Sequence, residues 1–90
     1  MPKNVSLHPK AYLKSKRNVR AGLISRSKIL QTLDQGRRKA GEIAKETSLS
    51  YECVSYHLIA MRKDRVVDKV GKSRPYQWQV TAYGQQKLSI

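Results

Sequence analysis

Residues 41–47 and 51–63 both carry the apolar spacing of a helix, and only Ser48, Leu49 and Ser50 separate them. That juxtaposition constrains the chain more than any other feature. In the second stretch Val54, Leu58 and Met61 fall at i, i+4 and i+7, the period of one buried helix face. Ser50 stands where its hydroxyl caps that helix, which is predicted to run to about residue 63. In the first stretch Ile43 and Ala44 point inward, and the small Ala44 permits close packing of the two helices. Its start is poorly marked, because Lys39 and Ala40 occupy the place where Ser, Thr or Asp makes a better cap.

The period then changes from helical to alternating. Val66, Val67 and Val70 indicate one strand, residues 71–75 a turn, and Tyr76, Trp78 and Val80 alternate with Gln77 and Gln79 in a second strand. Thr81 is a cap for a final short helix through residue 88, weakened by Gly84. Ahead of the helix pair, Ile29, Leu30 and Leu33 recur on one face after Ser25 or Ser27, either of which serves as an N-cap, and Gly36 supplies a stop. Residues 37–39 read as a connector. The predicted fold class is therefore mainly α with a small β-hairpin (α+β). It divides into a basic N-terminal extension over 1–24 and a helix-turn-helix with hairpin over 25–90.

The extension carries Lys3, Lys10, Lys14, Lys16, Arg17 and Arg20 without an acid. Pro9 suits a first helical turn, but Gly22 argues against one unbroken helix. Composition leaves a solvated arm and an ordered extension equally open. Over the whole chain 19 Lys and Arg oppose 6 Asp and Glu, a formal charge of +13 that calls for a polyanionic partner. No apolar run approaches the roughly 20 residues that span a bilayer, and the N-terminus lacks the apolar core of a secretory signal. A lone Cys53 forms no internal disulfide, so the expected location is cytoplasmic, with the nucleoid. With no Gly-rich phosphate loop, no partnered nucleophile and only His8 and His57 as imidazoles, no catalytic constellation assembles; no enzyme activity, small-molecule substrate or cofactor is expected.

Two short helices on a three-residue turn, followed by a hairpin tipped with Lys72 and Arg74, suit duplex DNA: a helix fits the major groove and a basic loop beside it reaches phosphate or the minor groove. Residues 39–88 resemble the winged helix-turn-helix of the arsenic-repressor-type and multiple-antibiotic-resistance-type regulators of bacteria and archaea. The residues that carry this are Glu42-Ile43-Ala44, Leu49-Ser50, Val54-Ser55, His57-Leu58, Val66-Val67, and the Thr81 and Gly84 that follow the hairpin. The resemblance implies a transcriptional regulator whose Ser50, Tyr51, Glu52, Ser55 and Tyr56 face the major groove, with Lys72, Ser73 and Arg74 in the wing. Arg62 on the same helix face, and Arg17 and Arg20 in the basic extension, complete the expected DNA-binding set. It also implies a homodimer reading two half-sites about one DNA turn apart.

Several residues carry two readings. Glu52 accepts from a cytosine amine or simply complements the helix dipole. Cys53 and His57, four apart, have the spacing of two metal ligands, but the paired cysteines of metal-sensing relatives are missing and packing of both side chains is the stronger reading. Trp78 reads as core. Ile59 and Ala60 are apolar where the family pattern is polar, which predicts a cover from the N-terminal extension or a second subunit. Beside the sequence-preferring regulator stand a non-specific architectural or chromatin DNA-binding protein and a winged-helix protein-interaction module.

Overall fold

The computed structural model describes residues 7–13, 18–72 and 74–81. Its elements run α1 (Arg20–Leu33), β1 (Arg38–Lys39), α2 (Ala40–Thr47), α3 (Tyr51–Lys63), β2 (Val67–Val70) and β3 (Gln77–Val80), with a 3-10 turn at Pro9–Ala11 ahead of them. This is the three-helix, winged arrangement expected, with two departures from it at α1 and β1. The expected final helix after Thr81 lies outside the described residues.

Helix α1 begins at Arg20 rather than after Ser25 or Ser27, so the expected boundary at residue 24 falls inside it. Neither serine caps. Ser27 is buried in mid-helix, where its Oγ accepts the N–H of His8 at 2.7 Å. The N-cap position is Val19, extended and without a side-chain bond. Gly22 sits inside the helix, because the space a side chain would fill there is occupied by the guanidinium of Arg26. Gly36 ends the element as expected, with φ of 139°, a region open chiefly to glycine.

The stretch ahead of α1 is ordered over residues 7–13. Ala11 and Leu13 are buried with the core. Arg26 donates from Nε to the carbonyl of Ala11 at 2.6 Å and from Nη2 to Oδ1 of Asn18 at 3.1 Å. Burial lowers the pKa of Arg26 from its ordinary value, while Tyr56 and Asp64 act in the opposite direction. His8 accepts the N–H of Lys10 on Nδ1, which leaves Nε2–H to donate to Asp34 at 2.7 Å.

The second departure is β1. Arg38 and Lys39, expected as a connector, pair antiparallel with β3 in the register Arg38 to Trp78 and Lys39 to Gln77, giving a sheet of order β1-β3-β2. Two basic residues carry no alternation, and the pairing is made by backbone alone. The β2–β3 hairpin pairs Val67 with Val80 and Val70 with Gln77.

Helix α2, expected to start without a good cap, is capped from within: Glu42 reaches back to accept the N–H of Lys39 at 2.7 Å, satisfying one of the free donors at the helix start. Ser48 closes α2 in the left-handed region at φ 60°. Ser50 then caps α3, its Oγ accepting the N–H of Cys53 at 3.1 Å. Val54, Leu58 and Met61 are fully buried against Ile29, Leu30, Ile43, Val66 and Val67. Each such side chain stabilises the fold by about 1.5–3 kcal/mol relative to exposure. Thr81 ties the hairpin's base back to the end of α3, its N–H donating to Val66 at 3.0 Å and its hydroxyl to Arg65. Among the described residues no helix is long and apolar enough to cross a membrane.

Candidate nucleic-acid interface

Burying Val54, Leu58 and Met61 fixes the rotation of α3 and turns residues 51, 55, 59 and 62 outward in a single stripe. Tyr51 and Ile59 are 58% and 57% exposed, and Ser55 is half-buried between them. The stripe looks across an open cleft of about 790 Å³ at the wing, where Arg74, Pro75 and Tyr76 form the opposing wall. Trp78 is buried, as expected of a core residue, and also contributes to the cleft's lining.

Cations collect around this cleft. Lys39 comes from the end of β1, where it is the N-cap of α2, Lys45 from the last turn of α2, Lys69 from β2 and Arg74 from the wing turn. The ammonium of Lys69 stands 4.4 Å from the ring centre of Tyr76, a distance at which the ring face attracts it and holds both side chains in place. Among the described residues the one acid on the lining is Glu42, and its Oε1 already accepts the N–H of Lys39. A rim of excess positive charge around a partly apolar floor suits a phosphate-bearing polymer that also presents base edges.

The expected site residues divide. Tyr51, Ser55, Arg62 and Arg74 line the cleft. Ser50 and Glu52 are exposed at the start of α3, Ser50 serving as the cap. Arg62 pairs with Asp68 of β2 at 3.3 Å, both side chains half open to solvent. Tyr56 is exposed but belongs to the neighbouring stripe, with its ring edge-on to His57 at 5.2 Å. Lys72 is exposed in the wing turn, and Arg20 is exposed at the first residue of α1, away from the cleft lining. Ser73 and Arg17 lie outside the described residues.

Ile59 and Ala60, read together as positions needing a cover, separate: Ala60 is buried within the chain and Ile59 is open on the cleft. Cys53 is half-buried and His57 buried, and among the described residues no group of three His, Cys, Asp or Glu side chains is placed to hold a metal ion. Sequence reasoning missed Lys39, Lys45, Lys69 and Tyr76. Ile59 was singled out in the sequence only as an apolar position needing a cover, although its place four residues after Ser55 puts it on the same helix face.

Residues 25–69 match the family model described as bacterial regulatory protein, arsR family. Among curated proteins no match is found. Among solved structures, the chain is similar to a possible transcriptional regulator for arsenical resistance, with TM-score 0.64 and 20% identity over 72% of this chain and 68% of that one. It is similar also to the homodimeric winged helix-turn-helix DNA-binding domain of a possible ArsR-family transcriptional regulator from Mycobacterium bovis, with TM-score 0.63 and 21% identity over 72% and 62% of the two chains. A third is the Zalpha domain of Carassius auratus PKZ in complex with Z-DNA. There the TM-score is 0.56 and the identity 31%, over 60% of this chain and 87% of that one.

Proposed function

This chain belongs to the arsR family of bacterial regulatory proteins and is a DNA-binding transcription regulator; we propose that it works by seating α3 in the major groove of double-stranded DNA with the wing on the flanking backbone. The observation that carries this is the outward stripe of Tyr51, Ser55 and Ile59 facing Arg74, Pro75 and Tyr76 across a cleft rimmed by lysines. An α-helix fits the major groove, and lysine and arginine contacts to phosphate set register without reading sequence. Lys72 and Arg74 grip phosphate from the wing, and Tyr51 and Ser55 reach base edges.

Two copies act together, because one recognition helix reads too few base pairs to choose an operator; their half-sites lie about 34–36 Å apart. The homodimeric relative supports this arrangement. The reading requires no cofactor, no small-molecule substrate and no catalytic step, and puts the protein with the cell's DNA in the cytoplasm.

Titration of a mixed-sequence duplex and of a duplex selected from a randomised pool, each at two salt concentrations, tests the proposal. Saturable binding is expected, steeply weakened by salt on the mixed duplex and less so on the selected one. Absence of duplex binding at low salt overturns it.

A second reading is favoured by one observation, the 31% identity to a domain solved with Z-DNA. In that reading the cleft between α3 and the wing takes a left-handed duplex. Circular dichroism of an alternating cytosine–guanine duplex separates the two: inversion of its spectrum on adding protein supports the second reading, and an unchanged right-handed spectrum supports the first.

A further inference from the structure

The α3 wall of the cleft offers guanine no unpaired Arg or Lys fork. Guanine is read in the major groove by an Arg or Lys fork on its O6 and N7 acceptors. Tyr51, Ser55 and Ile59 carry no charge, and Arg62, the guanidinium at the end of the stripe, is paired with Asp68 at 3.3 Å. What the stripe offers instead, between Ser55 and Arg62, is an isoleucine 57% exposed. The charges stand around it, on Lys39, Lys45, Lys69 and Arg74.

A surface for another protein ordinarily has a polar rim of mixed sign, whereas the charges around this isoleucine are all cations but for Glu42. A duplex suits that arrangement, because it brings phosphates to the rim and base edges to the floor. Among the groups that base pairs present in the major groove, the 5-methyl of thymine is the apolar one.

We infer that Ile59 is a specificity-determining residue that packs against thymine 5-methyl groups, so that the preferred DNA carries thymine under the C-terminal half of α3. This rests on the proposed seating of α3 in the major groove. Ser55 and Tyr51, one and two turns before it along the helix, lie on the N-terminal side of the contact and hydrogen-bond to neighbouring base edges or phosphates. Affinity from the lysine rim is indifferent to sequence; the choice of site comes from the isoleucine.

The test replaces every thymine of a selected duplex by deoxyuridine, which removes the methyl group and leaves base pairing and charge intact. The wild-type protein is expected to bind the uracil duplex about four-fold more weakly for each methyl that Ile59 covers, the worth of one buried carbon group. Ile59→Ser is expected to bind the thymine duplex as weakly as the wild type binds the uracil duplex, and to show no further loss on uracil. Ile59 is exposed, so an unchanged melting curve of the variant shows that the fold is kept. Equal wild-type affinity for thymine and uracil duplexes overturns the inference while leaving DNA binding standing. Failure to bind either duplex, or preference for a left-handed cytosine–guanine duplex, overturns the groove reading and this inference with it.

Discussion

Nη1 of Arg26 lies 3.0 Å from the point where a Cβ on Gly22 would stand, one helical turn earlier in α1. The missing side chain gives the guanidinium a path along the helix to the carbonyl of Ala11 and the amide oxygen of Asn18. A glycine that reads as a helix breaker is thus the seat of a buried cation, and that cation ties residues ahead of α1 to the domain.

The first prediction concerns this tether. Gly→Ala inside a helix ordinarily gains about 1 kcal/mol. In Gly22→Ala that gain is expected to vanish, because the new methyl displaces a guanidinium whose bonds hold it in place. Arg26→Met leaves the buried Ala11 carbonyl without its donor and is expected to cost about 1–3 kcal/mol. Urea midpoints measure both. A stabilised Gly22→Ala, or an Arg26→Met as stable as the parent, would falsify the tether.

A second prediction follows from the packing of residues 7–13. Ala11 is fully buried, Leu13 nearly so, and His8 links Ser27 and Asp34 of the α1 region. Removing residues 1–13 is expected to destabilise the domain by about 2–5 kcal/mol, as loss of a large core side chain does. Thermal unfolding of the truncated chain reads this directly. An unchanged midpoint shows that the segment only decorates the surface.

The parts of this fold that were legible in sequence are those whose constraint is local. Val54, Leu58 and Met61 announce a buried face because a helix repeats every 3.6 residues, and Ser50 announces its start because its hydroxyl reaches a donor three residues on. Trp78 and Val80 announce a strand by alternation. Strand β1 was illegible, since Arg38 and Lys39 pair through backbone with residues some forty positions away. The start of α1 was misplaced because Gly22 is explained only by Arg26, whose acceptors lie 15 and 8 residues before it. Which of the chain's 19 basic residues gather at one cleft is likewise a matter of tertiary placement, and Lys39, Lys45 and Lys69 gave no local sign of it.

A third prediction addresses the wing. Lys72 and Arg74 are exposed on the turn, and among the described residues neither forms a salt bridge. Lys72→Ala with Arg74→Ala is expected to leave stability within about 0.5 kcal/mol of the parent. DNA affinity falls, and the slope of log affinity against log salt flattens by about two units, close to one for each phosphate that is no longer neutralised. Unchanged affinity and slope remove the wing from the binding mechanism.

The last prediction separates the two exposed stripes of α3 and, with them, a DNA reader from a protein-interaction module. Tyr51 and Ser55 face the cleft, whereas Tyr56, equally exposed, lies beside it with its ring against His57. If the cleft is the reading surface, Tyr51→Ala and Ser55→Ala lose about 1–3 kcal/mol of affinity for a selected duplex wherever the residue makes a good base contact. Affinity for a mixed duplex falls less, because the lysine rim and the wing supply the sequence-independent attraction. Tyr56→Ala, off the lining, should change the selected-site affinity less than Tyr51→Ala. Leu58→Ala provides the opposite control: it opens a cavity among Ile29, Ile43 and Val66 and lowers stability by about 2–5 kcal/mol. Equal losses on selected and mixed duplexes mean that α3 grips only backbone, which favours an architectural protein. Cleft variants that keep all DNA affinity but release a protein partner identify the surface as a docking face instead.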